Sequence, residues 1–142
     1  MGDPTTLKAQ RVLVPGHADG PVLALDEPLS FWGGLDSETG SIIDHHHPQF
    51  GRCITGSILV MRAGRGSSSA SSVLAEAIRL GTSPAAVVLL EPDEIIVIGS
   101  VVADELYNIA MPVLLVDESA FEKLRSASSA TISDGGSMAI TG

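Results

Sequence analysis

A single cysteine, Cys53, stands among the 142 residues. One thiol forms no internal disulfide and cannot supply the three or four thiolates of an ordinary iron–sulfur cluster, so any such cluster is expected on another chain. Aromatic residues are almost as scarce, with one Trp, one Tyr and three Phe, which leaves Val, Ile, Leu and Ala to fill the interior. Basic residues are few: eight Lys and Arg face seventeen Asp and Glu, for a formal charge of -9. That balance opposes the phosphate neutralisation on which nucleic-acid binding depends, and nucleic acid is excluded as a partner. Long apolar runs are missing too. The longest, such as "AAVVLL" at 85–90, fall far short of the roughly 20 residues that cross a bilayer. The opening "MGDPTTLKAQ" has no apolar signal region. The chain reads as soluble and cytoplasmic, with no membrane partner.

What is present is a composition 44% hydrophobic and 18% charged, at a length that buries one real core. One compact domain over 1–142 is expected, with 1–10 and 126–142 flexible or peripheral and the tail "SATISDGGSMAITG" either a last strand pair or frayed. "RVLVPG" (11–16) and "PVLALD" (21–26) read as two short strands in a hairpin-like opening around "GHADG". The stretch 27–56 is rich in Gly, Pro, Asp, Ser and His, and a loop of that length inside a compact domain is usually functional. "SILVM" (57–61) is a strand, followed by a Gly-rich turn and the helical pattern Val73, Leu74, Ala77, Ile78, Leu80 that stops at Gly81. "PAAVVLLE" (84–91) has the continuous apolar character of a strand buried on both faces, and "EIIVIG" and "PVLLVD" (112–117) repeat the signature. Helices are predicted over 99–108 and 118–125. Strands and helices alternating at this spacing make the fold class α/β.

The segment "AGRGSSSASSVLAEAIRLG" (63–81) is the one that asks for chemistry. A Gly/Ser run is most often a flexible linker, but this one joins a strand to a helix inside a folded unit. Some of its serines are expected to cap the helix, whose first N–H groups need an oxygen partner. Capping leaves Gly64 and Gly66 unexplained, since they bracket Arg65 just before Ser67. Glycines there admit positive φ and a close backbone approach to a ligand, and a turn of N–H groups ahead of a helix makes an anion site. The nucleotide-binding pattern G-x-x-x-x-G-K-[ST] is absent. A small anionic group held on backbone N–H groups, with a serine hydroxyl aimed at it, is what remains.

"PLSFWGGLDSETGSIIDHHHPQFG" and "GRGSSSASSVLAEAIRLGTSPAAVVLLEPDEIIVIGSVVADEL", in that order, resemble the swivel domain of the aconitase X family over roughly residues 11–117. The resemblance implies a swivelling β/β/α domain, present in that family as a small subunit or fused to a large one. It implies a larger catalytic partner that carries the iron–sulfur cluster and most of the pocket, and a small hydroxy acid as substrate. The family's catalytic serine follows the Gly-x-Gly turn, which matches Ser67, with Gly66, Ser68 and Ser69 as substrate-binding neighbours. Ordinary aconitases have an arginine where this chain has Ser69, which argues against a tricarboxylate. Family members resemble cis-3-hydroxy-L-proline dehydratases or phosphomevalonate dehydratase small subunits, and "DHHHPQFG" is more similar to the first kind.

Further candidates for substrate contact are Arg65, Gly33, Gly34, Asp36 and His47. Adjacent His45, His46 and His47 cannot all face one point in an extended segment, so they read as a surface or interface loop, and no metal is expected on this chain. Phe31 and Trp32 are either core anchors or a lip of the site. Asp36 and Asp44 read as turn carboxylates, Cys53 as a small buried residue and Glu76 as a solvated helix position. Two function classes stay open: a dehydratase subunit that uses Ser67 as base, and a regulatory module that senses a small carboxylate. A phosphohistidine carrier would need a histidine on the active turn, which "GRGSSS" lacks.

Overall fold

A computed structural model describes residues 5–64 and 68–142. Along the chain come β1 (Thr5–Lys8), β2 (Arg11–Val14), β3 (Ala18–Ala24), a distorted turn α1 (Phe31–Gly34), and the short pair β4 (Leu35–Asp36) and β5 (Ser41–Ile42). Then follow β6 (Ile58–Met61), α2 (Ser69–Leu80), β7 (Ala86–Leu89), α3 (Glu94–Tyr107), β8 (Val113–Leu115), α4 (Glu118–Arg125), β9 (Ser129–Ile132) and β10 (Ser137–Thr141). The main sheet runs β1-β10-β9-β3-β6-β7-β8-β2. Its centre, β3-β6-β7-β8, is parallel, and antiparallel strands flank it on both sides.

Every residue of β6, β7 and β8 is buried, because both faces of the parallel centre are covered. Side chains alternate along a strand, so one set, Leu59, Met61, Val87, Leu89, Val113 and Leu115, packs under α2 and α3. The other set, Ile58, Val60, Ala86, Val88 and Leu114, meets Phe121 and Leu124 of α4 and the inward residues of β1, β9 and β10. The result is a β/β/α sandwich hinged on β3, whose first half pairs with β9 and whose second half pairs with β6. Among the described residues no helix is long and apolar enough to cross a membrane.

Two expectations need correction. The two opening strands do not form a hairpin: β2 pairs with β8 at one edge, while β3 lies in the middle of the sheet. The β-branched run "EIIVIG" is the start of α3, because the Asp93 carboxylate accepts from the N–H groups of Ile95 (2.9 Å) and Ile96 (3.2 Å) and so opens a helix there. Its buried positions, Ile96, Gly99, Ser100 and Ala103, are spaced for a helix. Of the two readings of the tail the strand pair is the one found: β9 and β10 pair, β9 joins them to the sheet, and Thr5–Lys8 pairs with β10.

Candidate functional site

Arg65, Gly66 and Ser67 lie outside the described residues; Gly64 and Ser68 stand on either side of them. The link from β6 to α2 leaves the carboxyl end of a parallel strand, the edge at which open α/β sheets bind ligands. Gly64, on that link, pairs in parallel with Leu29. A Cβ at Gly64 would run into the Asp93 carboxylate, with the Ile96 Cδ1 only 2.9 Å away. Of the two properties expected of this glycine, Gly64 uses close approach, here to Asp93 and Ile96, and not a left-handed φ.

On the far side of the turn, Ser68 takes the N-cap position of α2 with helical dihedrals (φ -58°, ψ -23°) and makes no side-chain cap. The Ser71 hydroxyl turns back to donate to the Ser68 carbonyl at 2.7 Å. These serines thus do not cap the helix in the manner expected. Helices α3 and α4, by contrast, are closed by Asp93 and Asp117. The first N–H groups of a helix have no intrahelical partner and carry its positive dipole end. Ser68 and Ser69 are exposed beside that end. Chemically, this is a place to hold an anion or lower the cost of a developing negative charge.

The long loop is held along its length. Gln49 accepts from the Asp26 N–H (3.1 Å) and donates to the Asp26 carboxylate (2.8 Å). The buried His47 accepts from the Gln49 N–H at Nδ1 (3.0 Å), so its proton is on Nε2, which donates to the Glu27 carbonyl (3.0 Å). Both nitrogens are committed, and neither is left for substrate or metal. His47 instead braces the segment after β3 that leads to Leu29 and hence to Gly64. Asp36 takes the turn role read for it. Its carboxylate accepts from the Glu38 N–H (2.9 Å), and Ser37 beside it is bonded to Thr82, past the C-terminus of α2. A 12-residue helix is about 18 Å long, so Asp36 stands at the end of α2 opposite Ser68.

Gly33 has φ of 80° and ends the distorted turn that carries Phe31 and Trp32. Those two divide: Phe31 is core, while Trp32 is 60% exposed. Gly34 packs against Leu29 and Asp44, and α1 lies against α2. His45 is exposed and stacks on Phe50 at 4.4 Å between centroids, and Asp44 caps the His46 N–H (2.9 Å). Glu76 is held by Arg79 at 2.7 Å on the solvated side of α2, which keeps its carboxyl below the ordinary value. Cys53 is exposed, not buried, beside the Thr39 carbonyl (3.6 Å) and the Thr55 hydroxyl (3.3 Å). As the chain's only thiol, it does not fit a cluster, and among the described residues no three His, Cys, Asp or Glu converge for a metal.

A cleft of about 190 Å³ opens at the same sheet edge on the α4 side, lined by Leu25, Asp26, Glu27, Pro28, Arg62, Phe121 and Arg125. Its two guanidiniums face carboxylates, Arg62 with Glu91 (3.6 Å) and Arg125 with Asp26 (3.8 Å), so it has no spare positive charge for an anionic substrate. Asp93 escaped the sequence reading, although Pro-Asp-Glu ahead of an apolar run is a helix-start signal.

The profile of the family described as "Aconitase X swivel domain" matches residues 7–141. The chain belongs to the aconitase X swivel family. It is 44% identical over 125 residues, 88% of its length, to a cis-3-hydroxy-L-proline dehydratase of Pseudomonas aeruginosa. The chain spans only 21% of that dehydratase, so about four-fifths of the relative has no counterpart here. A phosphomevalonate dehydratase small subunit of Methanothermobacter thermautotrophicus is 43% identical over 93 residues, 66% of this chain and 71% of the relative. The crystal structure of Thermococcus kodakaraensis aconitase X in its holo-form matches with a TM-score of 0.82 at 28% identity, covering 97% of this chain and 99% of that one.

Proposed function

We propose that this aconitase X swivel domain is the small component of a cytoplasmic hydro-lyase that dehydrates cis-3-hydroxy-L-proline to pyrroline-2-carboxylate. Ser67 is the base, and a larger catalytic partner supplies the rest of the site. The observation that carries this reading is the 44% identity to a cis-3-hydroxy-L-proline dehydratase across 88% of the chain. The glycine-ended strand and the serine-flanked N-terminus of α2 at the sheet edge support it. The phosphomevalonate reading rests on a similar identity over a shorter share of the chain, 66%, and ranks second.

In the reaction the base takes the proton α to the carboxylate, the adjacent carbon releases its hydroxyl with the bonding electrons, and a double bond forms between the two carbons. The enamine then tautomerises to the pyrroline. A serine hydroxyl must lose roughly six pKa units to act as alkoxide near neutrality, about 8 kcal/mol at 1.36 kcal/mol per unit. The dipole of α2 supplies at most about 2 kcal/mol. Each aligned N–H group adds about 3–4 kcal/mol only where water is excluded. The departing hydroxyl needs a Lewis acid, which we assign to an iron–sulfur cluster on the partner, since among the described residues no three metal-ligating side chains converge.

The test is co-expression with the larger aconitase X chain of the same organism, followed by assay on cis-3-hydroxy-L-proline and on phosphomevalonate. Turnover of the first by the complex alone is expected, with Ser67→Ala lowering it by about 10²- to 10⁴-fold while the complex stays assembled. Undiminished turnover by Ser67→Ala overturns the assignment of the base. Turnover of phosphomevalonate alone moves the substrate to the second reading. Binding of the proline without turnover by the wild-type complex favours the regulatory module.

A further inference from the structure

Helix α3 buries Ile96, Gly99, Ser100 and Ala103. At 100° per residue, Ile98, Val101, Val102 and Glu105 fall on the opposite side, Leu106 is exposed on the flank near the helix end, and Ile109 follows just past it. The five apolar members of this stripe are between 37% and 67% exposed. Together they leave on the order of 400 Å² of side chain in water, within the range of the largest patches on soluble monomers and about half of what one partner gives to a standard interface. We propose that this face of α3 is where the larger catalytic part of the aconitase X enzyme docks, through an apolar patch that sets a Lys or Arg opposite Glu105.

The occupant follows from charge, size and position. The exposed charges of α3 are all carboxylates, Glu94 and Glu105 on the stripe's side with Asp104 at its border, and the helix contains no Lys or Arg. Pairing the stripe with a second copy would bring four carboxylates into one interface, with no cation from α3, between chains of formal charge -9. Like charges in a desolvated interface are repulsive. A partner of complementary charge removes that cost. In the Pseudomonas dehydratase the matched region is 21% of the whole, so a partner several times larger is available to cover the face. The stripe is also continuous with the candidate site: Asp93, at the head of α3, abuts Gly64 on the serine turn. A partner that completes the site at that turn is one residue from Glu94. This inference rests on the shared-site reading above, and its test fails separately from that reading.

The full chain and the larger aconitase X chain of the same organism are purified separately, and their affinity is measured by calorimetry. Val101→Asp is expected to weaken binding by about a hundred-fold or more, as truncating a buried anchor does. Glu105→Lys is expected to weaken it about ten-fold and to remove part of its salt dependence. Both positions are exposed, so circular dichroism and urea midpoints stay at the wild-type values. Ser67→Ala leaves the affinity unchanged, and Val101→Asp recovers turnover at saturating partner, which separates a failed base from a failed interface. Unchanged affinity of Val101→Asp overturns the proposal, as does a wild-type chain that does not bind the larger chain. A wild-type dimer in sedimentation that Val101→Asp converts to monomer also overturns it, in favour of a second copy.

Discussion

Replacing Gly64 by Ala tests the frame of the serine turn. The new methyl would be driven into the Asp93 carboxylate, with the Ile96 Cδ1 at 2.9 Å and the Asp93 Cγ at 3.0 Å. Forcing an extra carbon into a filled site costs about 1–3 kcal/mol. If Asp93 yields instead, α3 loses its cap, at about 0.5–2 kcal/mol. Gly64→Ala alone is therefore expected to cost about 1–3 kcal/mol, and Asp93→Ala alone about 1 kcal/mol. In the Asp93→Ala background the methyl meets chiefly the far end of the Ile96 side chain, which can rotate away. The second substitution should then cost well under 1 kcal/mol, giving a coupling of about 1–2 kcal/mol, above the roughly 0.5 kcal/mol scatter of independent sites. Urea unfolding of the four proteins measures it, provided the slope is unchanged. In the assembled enzyme Gly64→Ala should slow turnover by about 10- to 100-fold, since small misplacements of reacting groups are costly, and the double variant should recover part of the loss. Additive stabilities, or a double variant no faster than Gly64→Ala, would refute the view that Asp93 and Gly64 set the turn together.

Other outcomes follow from single contacts. The Glu76 carboxyl, held by the Arg79 guanidinium, should titrate below the ordinary 4.5 by NMR and return toward it in Arg79→Ala. Because the folded value is the lower one, what the pair adds to stability is present above the ordinary value and fades as pH falls through the folded one. His47→Ala strands the Glu27 carbonyl and the Gln49 N–H, at a cost of about 2–3 kcal/mol read as a lower urea midpoint; a neutral result would mean that the loop is held elsewhere.

How far the sequence could be read depended on how local the signal was. β6, β7 and β8 announce themselves because strands covered on both faces are apolar throughout, and α2 and α4 because one polar side leaves their period visible. The hairpin was misread because turn chemistry at "GHADG" sets a reversal without naming the partner strand; β2 finds β8, about a hundred residues away. β1 shows no alternation to read, since Leu7 is its one buried residue. His47 could be singled out by its place before Pro48, but not its commitment to Glu27, which depends on a contact twenty residues away. The opening of α3 was hidden for a different reason. Its core-facing positions are apolar, but Ile98, Val101 and Val102 on the outer side are apolar too, so the helical period disappears and a β-branched run remains. The surplus apolar side that misleads the reader is the same one proposed to meet a partner.

The site obeys a similar logic of incompleteness. Beyond β6 the chain brings together a glycine pressed against Asp93, a helix that the Ser68 side chain does not cap, and the exposed Ser68 and Ser69. In bulk water two unit charges 4 Å apart interact by only about 1 kcal/mol, against about 4 kcal/mol at the dielectric of a partly covered protein site. The same donors therefore do little for a nascent alkoxide while the edge is exposed, and several times more once a second surface closes over it. On the proposed reading, covering that edge is what a second surface contributes, and the strength of these donors comes from it.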